Sequence, residues 1–297
     1  MSEDSTCPLL VLVDGHALAY RSYHALNATA FTTSTGASTN AIYGFTRKIL
    51  EILEEGPAYF AISFDRGLSG REILFEDYKA TREKMPDDLN WQIEQIQDLV
   101  RAFNIPVLAL DGYEADDVIG TVTKQAEALG CDVRIVTGDR DLLQLVSEHT
   151  TVQLPKRGEA DVTYDLAGFD ALYNGLSPGQ LTDLKGLMGD SSDNIPGIKG
   201  IGQKTGEKLL AAYGNLEGIY EHLGEIKGAQ HQRLSEGREV AFLSRQLATI
   251  QQDVPITLSL DMCVTHDYSL ADVDAIFERL EFRTLRRRLH QLITGRD

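Results

Sequence analysis

The chain has 297 residues, 42% hydrophobic and 25% charged, enough for a sizeable core and one or two domains. No apolar run approaches the roughly 20 residues of a membrane helix, and the start "MSEDSTCPLLVLVDG" has neither a basic stretch nor a cleavage-like site, so a cytoplasmic chain with no membrane partner is expected. Cys7, Cys131 and Cys263 form no disulfide framework or zinc pattern, and the net charge of −17 argues against a simple nucleic-acid coat, although binding follows local potential rather than the mean.

From Leu9 to about Leu154, short β-like runs alternate with helical patterns, the signature of a mostly parallel sheet with helices on its faces. The strand-like runs are "LLVLVD", "YFAISFD", "IPVLALDGYEADD" and "DVRIVTGDRD". Helices are predicted over Ser38 to Glu54, Asp87 to Phe103 and Ala115 to Leu129. Asp87 follows Pro86, and Leu89, Ile93, Ile96 and Leu99 recur at helical spacing. Two segments read as long functional or mobile loops: Asn27 to Thr39, and Arg66 to Pro86. After "VTYDLAGF" the pattern is mainly helical, over a run starting at Ser177 and Pro178, then Leu216 to His222, Ile226 to Gln246 and Leu270 to Leu292. The expected division is an α/β unit over residues 1–176, with an arch region at about 66–86, and a helical lobe over 177–297.

Nine carboxylates cluster at the ends of these runs: Asp14; Asp65; Glu114, Asp116 and Asp117; Asp139 and Asp141; Asp190 and Asp193. A lone strand-end Asp is usually a cap or turn, and Asp87, Asp88 and Asp132 are read that way. Five clusters weigh differently. Glu114, Asp116 and Asp117 cannot all be caps, and crowded carboxylates repel unless cations neutralise them. Asp139 and Asp141 would point the same way from an extended segment, and Asp190 and Asp193 would share a face if helical. Open α/β sheets bind ligands beyond the carboxyl ends of their strands. Hard oxygen donors favour Mg²⁺ or Mn²⁺. The pattern predicts a carboxylate-only two-metal site of the kind that cuts or joins phosphodiesters.

"GIKGIG" (Gly197 to Gly202), followed by "QKTGEKLL", is a weak signal alone. Its glycines permit close backbone approach, and the next helix would begin with exposed amides that attract phosphate. Lys199, Lys204 and Lys208 would add counter-charge. Basic residues also gather at Arg71, Lys79, Arg82 and Lys84, and at Arg283, Arg286, Arg287 and Arg288.

Taken together, "VDGHALAYRSYHAL", "SFD", "YKATR", "GYEADDVIGT", "VTGDRDLLQLV" and "GLMGDSSDNIPGIKGIGQKTGEKLL" resemble the 5′-nuclease (flap endonuclease) family, nearest to the N-terminal 5′→3′ exonuclease domain of bacterial DNA polymerase I. The resemblance runs from Val13 to Leu210 and continues in the later helices. It implies a largely parallel sheet flanked by helices, an arch above the site, and a helix-hairpin motif in a helical C-terminal lobe. It implies hydrolysis of DNA at 5′ ends and 5′-flap junctions, in replication and repair, with two Mg²⁺ (Mn²⁺ substituting) on the nine carboxylates and K⁺ at the hairpin. Lys79 and Arg82 match the basic residues beside the scissile phosphate. Tyr20 and Arg21 fall in the first motif, with Tyr20 counted among the catalytic residues. The expected DNA contacts are Arg71, Lys79, Arg82, Gly197, Lys199, Gly200, Gly202, Lys204 and Thr205. Asp14, Asp65, Asp116 and Glu114 are expected around one ion. Asp139, Asp141 and Asp193 are expected around the other, supported by Asp117 and Asp190. A monomer, or part of a longer DNA polymerase I chain, is expected, with RNA in RNA–DNA hybrids as a further partner. The "RGLSGREILFEDYKATR" stretch departs from the family pattern. Two competing readings are a catalytically silent junction-binding protein, which loss of an acidic ligand would favour, and an RNA-directed nuclease, against which the hairpin motif argues.

Overall fold

The computed structural model describes residues 8–156, 158–265 and 268–294. In chain order the elements are β1 (Leu9–Asp14), α1 (Gly15–Ala25), α2 (Asn40–Glu55), β2 (Tyr59–Ser63), α3 (Arg71–Leu74), α4 (Asp87–Ala102), β3 (Val107–Leu108), α5 (Ala115–Ala128), β4 (Asp132–Val136), β5 (Thr150–Leu154) and β6 (Val162–Tyr164). Then follow α6 (Leu166–Leu172), α7 (Gln180–Met188), α8 (Gln203–Tyr213), α9 (Leu216–Glu221), α10 (Gly228–Glu236), α11 (Arg238–Ala248), α12 (Leu270–Arg279) and α13 (Arg283–Thr294). The sheet order is β3-β2-β1-β4-β5-β6. All pairings are parallel except the last, where β6 returns antiparallel to β5.

Period-two side-chain alternation divides β1 between two cores. Leu10 and Leu12 enter the core shared with α5 and α7 to α9, whereas Val11 and Val13 enter the one shared with α1, α2, α4, α12 and α13. A strand buried on both faces reads as a continuous apolar run, as "LLVLV" does. Helix α2 buries Ile42, Phe45, Ile49 and Leu53 and ends at Gly56, whose φ of 68° supplies a left-handed stop. Its first turn has no local cap. The buried Gln92 side chain of α4 accepts from the Ala41 and Ile42 amides instead.

The expected division falls in the turn between α6 and α7. Helices α7 to α9 and α11 pack together, while α12 lies on α4 and α13 on α2. Two predicted helices are each broken in two. Ile226 to Gln246 breaks at Gly237, where a side chain would meet Ile198 at 2.8 Å. Leu270 to Leu292 breaks at Glu281, which takes a left-handed φ of 59°. Among the described residues no helix is long and apolar enough to cross a membrane.

Candidate metal centre and nucleic-acid interface

Parallel pairing aligns the carboxyl ends of β1, β2 and β4 on one edge of the sheet. Asp14 closes β1 and caps α1. One carboxylate oxygen accepts from the Ala17 amide at 3.0 Å and the other from the Thr137 hydroxyl at 2.9 Å. Asp65 follows β2 and accepts from the Ala115 amide at 2.8 Å, which ties it to the start of α5. The Asp65 backbone N–H donates to His16 Nδ1 at 3.1 Å. Burial holds His16 below its ordinary pKa against the pull of Asp65, so the ring is neutral and its near approach to that carboxylate is not an ion pair. Asp139 follows β4 and accepts from the Asp141 amide at 2.8 Å.

Burial pushes the Asp14 carboxyl up to about 7, aided by the charges of Asp65 and Asp139 and opposed by its hydrogen bonds. Asp116 is raised well above the ordinary carboxylate range by burial and by the charges of Asp14, Asp139 and Glu114. It accepts no hydrogen bond from a described residue. Asp139 faces Asp14 and Asp116 as well as Asp141. It therefore lies near members of both expected ligand groups.

The outer carboxylates are held by the protein's own cations. Lys79 Nζ donates to Glu114 at 2.6 Å and lies 3.8 Å from Asp193, and Arg82 donates to Asp193 at 2.5 Å. The Tyr78 hydroxyl lies between Glu114 (3.3 Å) and Asp193 (3.2 Å). Lys185 on α7 bridges Asp141 and Asp190. Burial pushes Asp141 up to about 7 despite that lysine. Asp190 is also raised by burial, but Lys185 and Ser192 outweigh this and bring it to about 2. Among the described residues no three acidic or imidazole side chains already surround one point as ligands. The outer carboxylates are turned onto lysine and arginine. Their donor chemistry fits a hard divalent ion: all are oxygen ligands, and burial together with the neighbouring negative charges raises the central ones.

Several expectations are corrected. Asp117 is fully buried and pairs with Arg71 through two bonds of 2.7 Å. It also accepts from the Gln251 and Glu114 amides. Its oxygens are thereby taken, and it joins α5 to the segment after α11 rather than serving a metal. Arg71, expected to touch DNA, is 5% exposed and also donates to the Leu247 and Thr249 carbonyls, which leaves no face for a phosphate. Asp139 and Asp141 do not lie on an extended segment, because a 3₁₀ turn begins at Asp141. Asp190 and Asp193 are not helical. They sit in a tight turn closed by reciprocal Asp190 and Ile195 backbone bonds. That turn is stitched to the 66–86 segment, since the Lys79 amide donates to the Asp193 carbonyl and the Asn194 side chain to the Asp77 carbonyl.

Tyr20 is half-buried with its phenol raised by burial, and Arg82 lies close enough to oppose that shift. The hairpin of 197–202 approaches its neighbours closely. Gly197 has φ 58°, and a Cβ there would lie 2.1 Å from the Gly189 nitrogen. Gly200 has φ 83°, and its carbonyl accepts from Arg233 at 3.0 Å. Gly202 begins α8 without a side-chain cap, and the amides of Thr205 and Gly206 turn back to its carbonyl. Lys199, Lys204 and Lys208 are exposed, and Thr205 is half-buried. Lys185, Tyr78, His16 and Thr137 were not singled out from the sequence. Lys185, in "LKGLMGD", lies five residues before an Asp already in the cluster, and this is the one sequence signal that marks it.

Two family models match. The 5′-3′ exonuclease N-terminal resolvase-like domain covers residues 9–173, and the 5′-3′ exonuclease C-terminal SAM fold covers 176–271. The chain is 46% identical over 279 residues to DNA polymerase I of Chloroflexus aurantiacus, covering 93% of this chain and 30% of that protein. It spans about a third of the length of the curated relatives it matches. The fold is also that of a phage T5 5′-exonuclease solved with divalent zinc, with a TM-score of 0.65 at 21% identity over 96% of this chain and 99% of that one. It matches the catalytic core of Rad2 in complex with a DNA substrate as well, with a TM-score of 0.65 at 18% identity over 97% and 93%. The acid-lined sheet edge and the uncapped hairpin helix thus fall within two adjoining matched regions, and the chain belongs to the 5′-3′ exonuclease family.

Proposed function

We propose that the chain is a divalent-metal-dependent 5′ nuclease, hydrolysing phosphodiesters of DNA at or near 5′ ends and 5′-flap junctions in replication and repair. The observation that carries this reading is Asp116. It is a carboxylate without a hydrogen-bond donor, raised by burial and surrounded by Asp14, Asp139 and Glu114. A cation is the partner such a site needs. Asp14, Asp65, Glu114, Asp116, Asp139, Asp141, Asp190 and Asp193 are the residues that would hold two Mg²⁺, with Mn²⁺ able to substitute. When bound, the ions would supply an activated water and charge stabilisation at the leaving oxygen.

Lys79 and Arg82 now neutralise Glu114 and Asp193. With divalent charge on those carboxylates, the two cations are freed to hold the scissile phosphate and stabilise its developing charge. Tyr20, uncharged and beside Arg82, offers a ring to the adjoining nucleotide. The start of α8, with Lys199 and Lys204, takes the duplex backbone through free amides and counter-charge, and the hairpin carbonyls are the proposed K⁺ site. The T5 relative holds divalent ions and the Rad2 core holds DNA, as this reading asks of this chain. The test is a 5′-flap duplex labelled at its 5′ end. Release of a labelled fragment near the junction in Mg²⁺, and none in EDTA, is expected. Undiminished cleavage in excess chelator, or none with Mg²⁺ or Mn²⁺, would overturn the reading.

A further inference from the structure

A second cluster of cations lies outside the metal centre, and one carboxylate bridges two of them. Arg21 of α1 donates to Asp161 at 2.9 Å, and Lys48 of α2 reaches its other oxygen at 2.8 Å. Asp161 stands in the loop joining β5 to β6, which leaves the carboxyl end of β5. That is the sheet edge that carries Asp14, Asp65 and Asp139. Behind the loop is a cavity of about 350 Å³ between α1 and α2, with Arg47 on its wall. Arg47 is exposed and makes no ion pair among the described residues. Glu51 also contacts Lys48, at 3.2 Å, whereas the other neighbouring acids are engaged elsewhere, Glu55 with Arg134 and Glu159 with Lys156 at 2.7 Å.

The arrangement is that of an oxyanion gripped by a guanidinium and an ammonium. Arginine and lysine bind carboxylate and phosphate through the same donors. Helix α1 starts at Asp14 in the metal centre, and Arg21 lies two turns on, about 10 Å along the axis at roughly 1.5 Å per residue. That distance is within the span of a substrate strand whose scissile phosphate sits at the centre. We propose that Arg21, Arg47 and Lys48 form a second binding site for a backbone phosphate of the substrate, and that Asp161 occupies this site until that phosphate displaces it. This rests on the nuclease reading and adds to it an internal competitor for the DNA backbone.

Two variants of the full chain test it, with the 5′-flap duplex titrated in Ca²⁺ over a salt series. Asp161→Asn removes the competing charge. It should tighten binding about fivefold at low salt and leave the salt slope near the parent's, because the same phosphate is bound in both. Arg47→Ala should weaken binding about fivefold and flatten the salt slope by about one unit. Its thermal midpoint should stay unchanged, because the parent side chain makes no ion pair. If Asp161 is only a latch between the loop and the helices, Asp161→Asn will lower the thermal midpoint and leave affinity as in the parent. That result, or parent-like binding by Arg47→Ala, overturns the inference. A parent chain that neither binds nor cuts the flap duplex would remove the nuclease reading and this inference together. A parent that does both, with variants that bind like it, would remove only the inference.

Discussion

Asp14 and Asp141 are carboxyls that protonate near pH 7 in the folded chain, far above their value in the unfolded one. Between about pH 4 and 7 the folded state therefore binds more protons than the unfolded state. Stability of the metal-free protein must fall as pH rises through that window. Asp190, at about 2, acts in the opposite sense, but between about pH 2 and 4, below this window. A metal-free thermal midpoint higher at pH 5.5 than at pH 8 is expected, with Mg²⁺ restoring stability at pH 8. A flat profile without metal would mean that the carboxylates are less crowded than their positions indicate. At the same scale, Asp139→Asn should abolish cleavage and leave flap binding largely intact. Lys79→Ala should slow single-turnover cleavage by about 10²–10³-fold, in the range for loss of one charge-stabilising donor, and weaken binding far less. Parent-like single-turnover rates in Lys79→Ala would reduce that lysine to a partner of Glu114.

The 66–86 segment is anchored at one point by the Arg71–Asp117 pair and at another by Tyr78 and the Lys79 amide. Removing one member of a buried pair leaves an uncompensated charge, so Asp117→Ala should cost about 3–5 kcal/mol, whereas replacing both residues by apolar ones of similar volume should cost less. Thermal melts of the single and double variants would separate the two. If Asp117 were a metal ligand rather than an anchor, its loss would abolish catalysis and leave the metal-free midpoint unmoved. This anchor shows where sequence reasoning stops. Apolar spacing and turn residues predict α2, α4 and α5 to within two residues at either end, because those signals are local. The acid clusters at strand ends were legible for the same reason. Arg71 and Asp117 lie 46 residues apart, so nothing in either neighbourhood announces that they consume one another. Lys185 is similar, since its partner Asp141 is 44 residues away. The breaks at Gly237 and Glu281 depend on what packs against them, and helical periodicity runs through both without interruption.

On the scale of the molecule, the net charge of −17 must be reconciled with the polyanionic substrate of the proposed function. The excess is partly local, because eight of the acidic residues discussed lie where divalent charge would be bound; Lys79 and Arg82 pair with two of them, and Lys199 and Lys204 are exposed. Net charge then resists indiscriminate adhesion while, in that reading, the local potential at the start of α8 and around Lys79 and Arg82 attracts phosphate. The two places differ in kind. In the proposed function the start of α8 takes duplex backbone, and the Lys79 and Arg82 region takes the strand being cut. A protein that grips the backbone at both measures a junction and reads no base edges. Replacing Lys199 and Lys204 with Ala should therefore weaken binding to any substrate containing duplex, by an amount that shrinks as salt rises. The slope of log affinity against log salt should flatten by about two units, one for each phosphate that is no longer neutralised. Binding of a free single strand should barely change, because that strand does not use the hairpin. The cut should keep its distance from the junction when the junction is moved along a fixed sequence. Equal loss on single-stranded DNA, or a cut that stays with the bases when the junction moves, would show that the hairpin does not define the duplex side of the site.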